Sequence, residues 1–100
     1  MKPITLERLN KPAGQKFLER HSNDLVFIHS NNGIWREGRC GYTDSYDSAG
    51  LYTLKEAYHA TSHCGPEKEV RYRFVSKDEV WKMAARVSQR LAHLTEKLAF

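Results

Sequence analysis

The sequence predicts an α+β fold, a small antiparallel sheet (hairpin plus third strand) packed with helices. Three observations predict it. Leu25 to Ser30 and Ile34 to Arg36 are apolar, β-branched and aromatic segments separated by Asn31-Asn32-Gly33, a tight-turn signal. Val70-Arg71-Tyr72-Arg73-Phe74 alternates apolar and basic residues with the period of a half-buried strand. Thr53 with Glu56 and Ser76 with Glu79 each have the spacing of a capping box, which marks two helix starts. The expected order is α-β-β-α-β-α with a long C-terminal helix. All of it belongs to one domain over 1–100: an N-terminal helical segment over 1–24, a ββαβ core over 25–75 and the final helix over 76–100.

Taken in order, the first segment is the least regular. Ile4, Leu6 and Leu9 precede Pro12 and Gly14, and Phe17 and Leu18 then sit among charges, which predicts one short helix over 14–21. The strand over 25–30 follows. Asn and Gly tolerate positive φ, so Asn31-Asn32-Gly33 predicts a type I′ hairpin turn. Gly38, Gly41 and the stretch 43–50 mark a longer polar connection. Thr53 opens a helix over 54–64 that Gly65-Pro66 stops.

In the third strand, Val70, Tyr72 and Phe74 share the buried face and the arginines the other. The last helix starts at Lys77, with Val75 and Val80 spaced as a hydrophobic staple, and no Gly or Pro interrupts it before Phe100. Val80, Ala84, Val87, Leu91, Leu94 and Leu98 repeat at coiled-coil spacing. Trp81, Met83 and Ala85 widen this seam early, as a domain core would; later it narrows to a helix-to-helix contact. A helix of this length outruns a six-residue strand, since 24 residues span roughly 36 Å against about 20 Å. Val87, Leu91, Leu94 and Leu98 therefore form the candidate oligomer interface. They pack on the same helix of a second chain, on a partner protein, or under a folded-back N-terminal segment.

The 100 residues, 40% hydrophobic and 28% charged, set the class as globular rather than disordered. The formal charge of +4 is spread thinly, with net charges of +2, −1, +1 and +2 over 1–24, 25–52, 53–76 and 77–100. A dedicated nucleic-acid binder gathers its cations into a stripe, so this chain has only a mild bias. Cys40 and Cys64 without an apolar export segment suggest free thiols in a reducing compartment. No apolar run approaches the roughly 20 residues that cross a bilayer. No membrane association and a cytoplasmic setting are expected.

His59 and His63 stand four apart beside Cys64, a spacing that can present two imidazoles to one metal ion. On a helix starting at Leu54, however, the core face holds Leu54, Ala57, Tyr58 and Thr61, and both histidines fall on the solvent side. No second pair has zinc-motif spacing, so no metal and no cofactor is expected. Cys40 or Cys64 with a histidine, or Ser45 and Ser48 with Asp44 and Asp47, hold the atoms for nucleophilic chemistry. None lies in a nucleophile turn or a glycine-rich phosphate loop, and Asp44 to Ser48 read better as turn residues. No catalytic residue is assigned, and the chain is not expected to be an enzyme.

Trp35, Arg36, Arg39, Tyr42, Tyr46, Arg71 and Arg73 form the candidate partner-binding set. If the hairpin and the third strand share a sheet, their cations gather on the face the helices leave open. Such a face suits RNA or single-stranded DNA through stacking and phosphate contact, and suits an acidic protein equally. It is also accounted for as a solvated face balanced by Glu37, Glu67 and Glu69.

Ser30 through the hairpin to Trp35, Gly41-Tyr42-Thr43, Ala49-Gly50 with Tyr52, and Glu56-Ala57 together resemble a group of small bacteriophage and prophage proteins. The resemblance covers roughly residues 25–58, in residues that build the fold rather than react. Members often carry Trp where His29 stands here and often lack the long last helix. The resemblance implies an accessory protein in the cytoplasm of a bacterial host, a class in which small domains often bind and block host proteins. The expected function is thus a non-enzymatic module that modulates or inhibits a host defence, nuclease or regulatory complex. Two other readings stand beside it: a nucleic-acid-binding accessory protein and a small metal-dependent enzyme.

Overall fold

A computed structural model of the chain describes residues 2–82. The elements are β1 (Ile4–Thr5), α1 (Leu6–Leu9), α2 (Pro12–Arg20), β2 (Leu25–Ser30), β3 (Gly33–Trp35), β4 (Tyr42–Thr43), β5 (Tyr52–Thr53), α3 (Leu54–Thr61), β6 (Arg71–Phe74) and α4 (Lys77–Lys82). The sheet is antiparallel, in the order β1-β6-β2-β3-β4, and β5 pairs with the start of β2. The fold is α+β, with helices packed on a small antiparallel sheet. Residues 83–100 lie outside the described residues, and with them Val87, Leu91, Leu94 and Leu98.

The N-terminal segment departs from the expected single helix over 14–21. Ile4 pairs with Tyr72 and adds a strand to the sheet, and the Leu6 amide donates to the Val70 carbonyl at 3.0 Å. Thr5 then caps α1 by accepting from the Arg8 amide at 3.2 Å. Pro12 begins α2, where its fixed φ suits the first helical turn. The helix expected over 14–21 thus starts two residues earlier, at Pro12, and ends at Arg20.

The hairpin forms where expected, with Ser30 opposite Gly33, but its turn is not type I′. Among the described residues only Arg39 and Glu69 combine a side chain with positive φ, so neither asparagine takes the left-handed region. Gly33 takes it instead, at φ 125°. The Ser30 hydroxyl holds the turn, accepting from the Asn32 amide at 3.3 Å and donating to the Gly33 carbonyl at 3.2 Å.

Both capping boxes are present. Glu56 and Thr53 bond reciprocally at 3.1 and 3.2 Å, and Glu79 and Ser76 at 3.0 and 3.3 Å. Helix α3 ends at Thr61 rather than at Cys64, and a short turn follows in which the Cys64 amide bonds the Thr61 carbonyl at 2.9 Å. In β6, Val70, Tyr72 and Phe74 are buried while Arg71 is exposed and Arg73 half-buried, as the alternation predicts.

Two apolar clusters cover the two faces of β2. Under the helices lie Leu9, Val26, Ile28, Leu54, Ala57 and Tyr72. On the opposite face Phe27 packs with Ile34, Ala49 and Leu51, and with the half-buried Leu25, Tyr46 and Val75. The stretch 43–50, read as a polar connection, is thus partly a cover. Val26, Phe27 and Ile28 are all fully buried, and consecutive residues of a strand point to opposite faces, so both faces need apolar partners.

Candidate partner-binding surface

Directly opposed residues on paired strands share a face. Arg73 lies opposite Phe27, Arg71 opposite His29, and His29 opposite Ile34, which places all five on the face of the second cluster. Trp35 lies opposite Tyr42, one residue on, and packs against the first cluster on the other face. The candidate set is therefore split: Arg71, Arg73 and Tyr46 on one face, Trp35 and Tyr42 on the other, and Arg36 and Arg39 in the loop that joins β3 to β4.

The arginine face is largely occupied by its own chain. The Arg73 guanidinium stacks on the Tyr46 ring at 4.6 Å from its centroid and pairs with Glu79 at 2.8 Å. Burial works against the Glu79 carboxylate, but hydrogen bonds from Arg73 and Ser76 outweigh it and hold the group below its ordinary range. The Tyr46 hydroxyl meets His29 Nε2 at 2.9 Å. Burial, and then the charges of Arg71 and Arg73, lower the His29 pKa and favour the neutral imidazole. With Tyr46 and Arg73 stacked on each other, the described residues of this face offer no open aromatic platform of the kind base stacking needs. Arg71 alone of the group is exposed.

The other end of the sheet is more available. Tyr42 is 43% exposed, the exposed large hydrophobic residue among the described residues, and its ring meets Trp35 edge-on at 6.3 Å between centroids. The Trp35 indole Nε1 is buried without a hydrogen-bond partner among the described residues. Arg36 wraps around the edge strand, and its Nε donates to the Tyr42 carbonyl at 3.1 Å. That bond occupies an edge carbonyl and opposes strand addition there, leaving side chains as the means of contact.

The 36–43 segment is pinned from beneath. The Tyr52 hydroxyl donates to the Arg36 carbonyl and accepts from the Arg39 amide at 3.3 Å; its burial pushes the phenol above its ordinary pKa. The Gly50 amide bonds the Trp35 carbonyl at 2.9 Å, and a Cβ at Gly50 would stand 2.6 Å from the Glu37 amide nitrogen. Arg39 itself sits at φ 61°. Tyr52, Gly50 and Trp35 thus have one shared task, fixing the loop that carries Arg36, Arg39 and Tyr42.

His59 faces solvent as expected, but His63 lies beyond the end of α3, so the two histidines do not share a helix. His63 Nε2 instead approaches Cys64 Sγ at 3.9 Å. Cys64 lines a groove of about 610 Å³ with Leu6, Asn10, Pro66, Val70 and Arg71. Both cysteines are free. Among the described residues, no group of three His, Cys, Asp or Glu side chains is placed to hold a metal ion, and no helix is long and apolar enough to cross a membrane. Sequence reasoning missed the clefts beside Lys55 and His59, because they arise only when α2 and the 36–39 loop close on α3. No family model, curated protein or solved structure matches the chain.

Proposed function

We propose that this chain is a non-enzymatic protein-binding module, and that Tyr42, backed by Trp35 and flanked by Arg36, is its anchor. One observation carries the reading: an exposed tyrosine stands edge-on to a tryptophan, on a segment held rigid by Tyr52 and Gly50. Tyr, Trp and Arg dominate the energetics of protein interfaces, and a pre-fixed loop loses little conformational freedom when it binds. The resemblance of residues 25–58 to small phage and prophage proteins supplies the setting, an accessory protein acting on a bacterial host complex in the cytoplasm. The residues that carry that resemblance include Tyr42 and the Gly50 and Tyr52 that pin its loop.

Affinity capture from nuclease-treated bacterial lysate tests the reading, with the native chain and Tyr42→Ser side by side. A stoichiometric host protein held by the native chain and lost by the variant supports it. Recovery of nucleic acid alone from untreated lysate contradicts it and favours binding through Arg71 and its neighbours.

A further inference from the structure

We propose that the outer face of α3 holds an anion site for a phosphate monoester group. Two clefts, of about 370 and 450 Å³, are both lined by Lys55 and His59. These residues stand four apart on α3 and so lie one above the other on the same helix face. Gly38, Arg39 and Tyr52 bound the first cleft; Lys16 and Ser22 bound the second. A group in the first cleft therefore faces two cations from separate elements, Arg39 and Lys55, and an imidazole, while Lys16 lines the second cleft, which shares Lys55 and His59 with the first.

The charges are available. None of Lys16, Arg39 and Lys55 forms an ion pair among the described residues. The two carboxylates that line the clefts are Glu19 and Glu56. Glu56 Oε1 is turned into the start of α3, accepting from the Thr53 amide at 3.1 Å and the Thr53 hydroxyl at 3.0 Å.

Arg39 is the built part of the site. A side chain at φ 61° is unfavourable and persists only where its surroundings fix it. Tyr52 and Gly50 do so here, and the result places Arg39 at the rim of the same cleft as Lys55. A tetrahedral dianion offers three oxygens to separate donors, which suits dispersed cations better than a planar carboxylate that one arginine satisfies. Cleft volumes of this size also fall within the range of small-ligand sites. The site shares Arg39 and its Tyr52 support with the loop that carries Tyr42, but Lys55 and His59 lie outside the Tyr42 surface, so Lys55→Gln separates the two readings.

The test is an amide-resolved NMR titration of the full chain with inorganic phosphate, glycerol 3-phosphate and a phosphoserine peptide, against acetate at matched pH and ionic strength. The expected result is saturable shifts at Arg39, Lys55 and His59 with the phosphate probes, and none with acetate. Lys55→Gln should weaken binding several-fold. So should Arg39→Gly, which removes the cation while relieving the left-handed backbone. Stronger binding of glycerol 3-phosphate or of the peptide supports the site and names the source of the phosphate. Non-saturating shifts, an equal response to acetate, or unchanged binding by both variants would overturn it.

Discussion

The Tyr72 hydroxyl lies 2.6 Å from Thr61 Oγ1, with both side chains fully buried, and forms a buried polar link between β6 and α3. Thr61 spends its single proton on the Ala57 carbonyl at 2.7 Å, so Tyr72 is the donor to Thr61. Burial raises the Tyr72 pKa far above its ordinary value and keeps the phenol protonated in that role.

This direction of donation predicts unequal mutants. Tyr72→Phe removes a donor and leaves Thr61 satisfied through Ala57, at a cost of about 1 kcal/mol. Thr61→Val leaves a buried phenol with no acceptor and costs about 2 to 3 kcal/mol. The double variant should cost less than the sum of the two. Denaturant unfolding of the three variants measures this: a Tyr72→Phe loss as large as that of Thr61→Val would contradict the assigned direction, and additive losses would contradict the bond itself.

His29 predicts a pH dependence. Its folded pKa is lowered from 6.5, first by burial and then by Arg71 and Arg73. Between that lowered value and 6.5 the unfolded chain binds more protons than the folded one, so stability falls as pH drops through this window. Unfolding measured from pH 7.5 downward should show a loss in the native chain that His29→Asn lacks. Parallel curves for the two proteins would exclude His29 as the source.

Gly50 predicts a steric failure. The Cβ of Gly50→Ala would meet the Glu37 nitrogen at 2.6 Å and its Cα at 2.7 Å, backbone atoms that cannot turn aside. A loss of about 1 to 3 kcal/mol is expected, the cost of overpacking. Amide exchange over 36–43 should accelerate with it, because Gly50 seats that loop. A variant of native stability with unchanged exchange would show that the loop is held elsewhere.

Local signals were the legible part of this fold. Each capping box and the Val70-Tyr72-Phe74 alternation depends on residues within five positions of one another, and all three stand where the sequence puts them. Strand β1 is two residues long, and its pairing with β6 is set by contacts between distant positions, as between Ile4 and Tyr72, 68 positions apart, which no local pattern encodes. The run Val26-Phe27-Ile28 did hold a usable clue, since an uninterrupted apolar strand needs both faces covered. That clue makes Tyr46, Ala49 and Leu51 a lid rather than a linker.

The binding set was half legible for a related reason. Residue type marked Trp35, Tyr42 and the arginines, but the face each occupies follows from register, and β3 pairs so that Trp35 points away from Arg71 and Arg73. Composition also gave no sign that Arg73 would be taken up by Tyr46 and Glu79.

The most direct test of the central claim is the affinity of the captured host protein for the native chain and for Tyr42→Ala, measured by calorimetry. Truncating an interface anchor costs about 2 kcal/mol or more, so the account predicts at least a roughly thirtyfold weaker complex with an unchanged melting temperature. Equal affinity of the two proteins would contradict it and place the binding surface away from the Trp35 and Tyr42 pair.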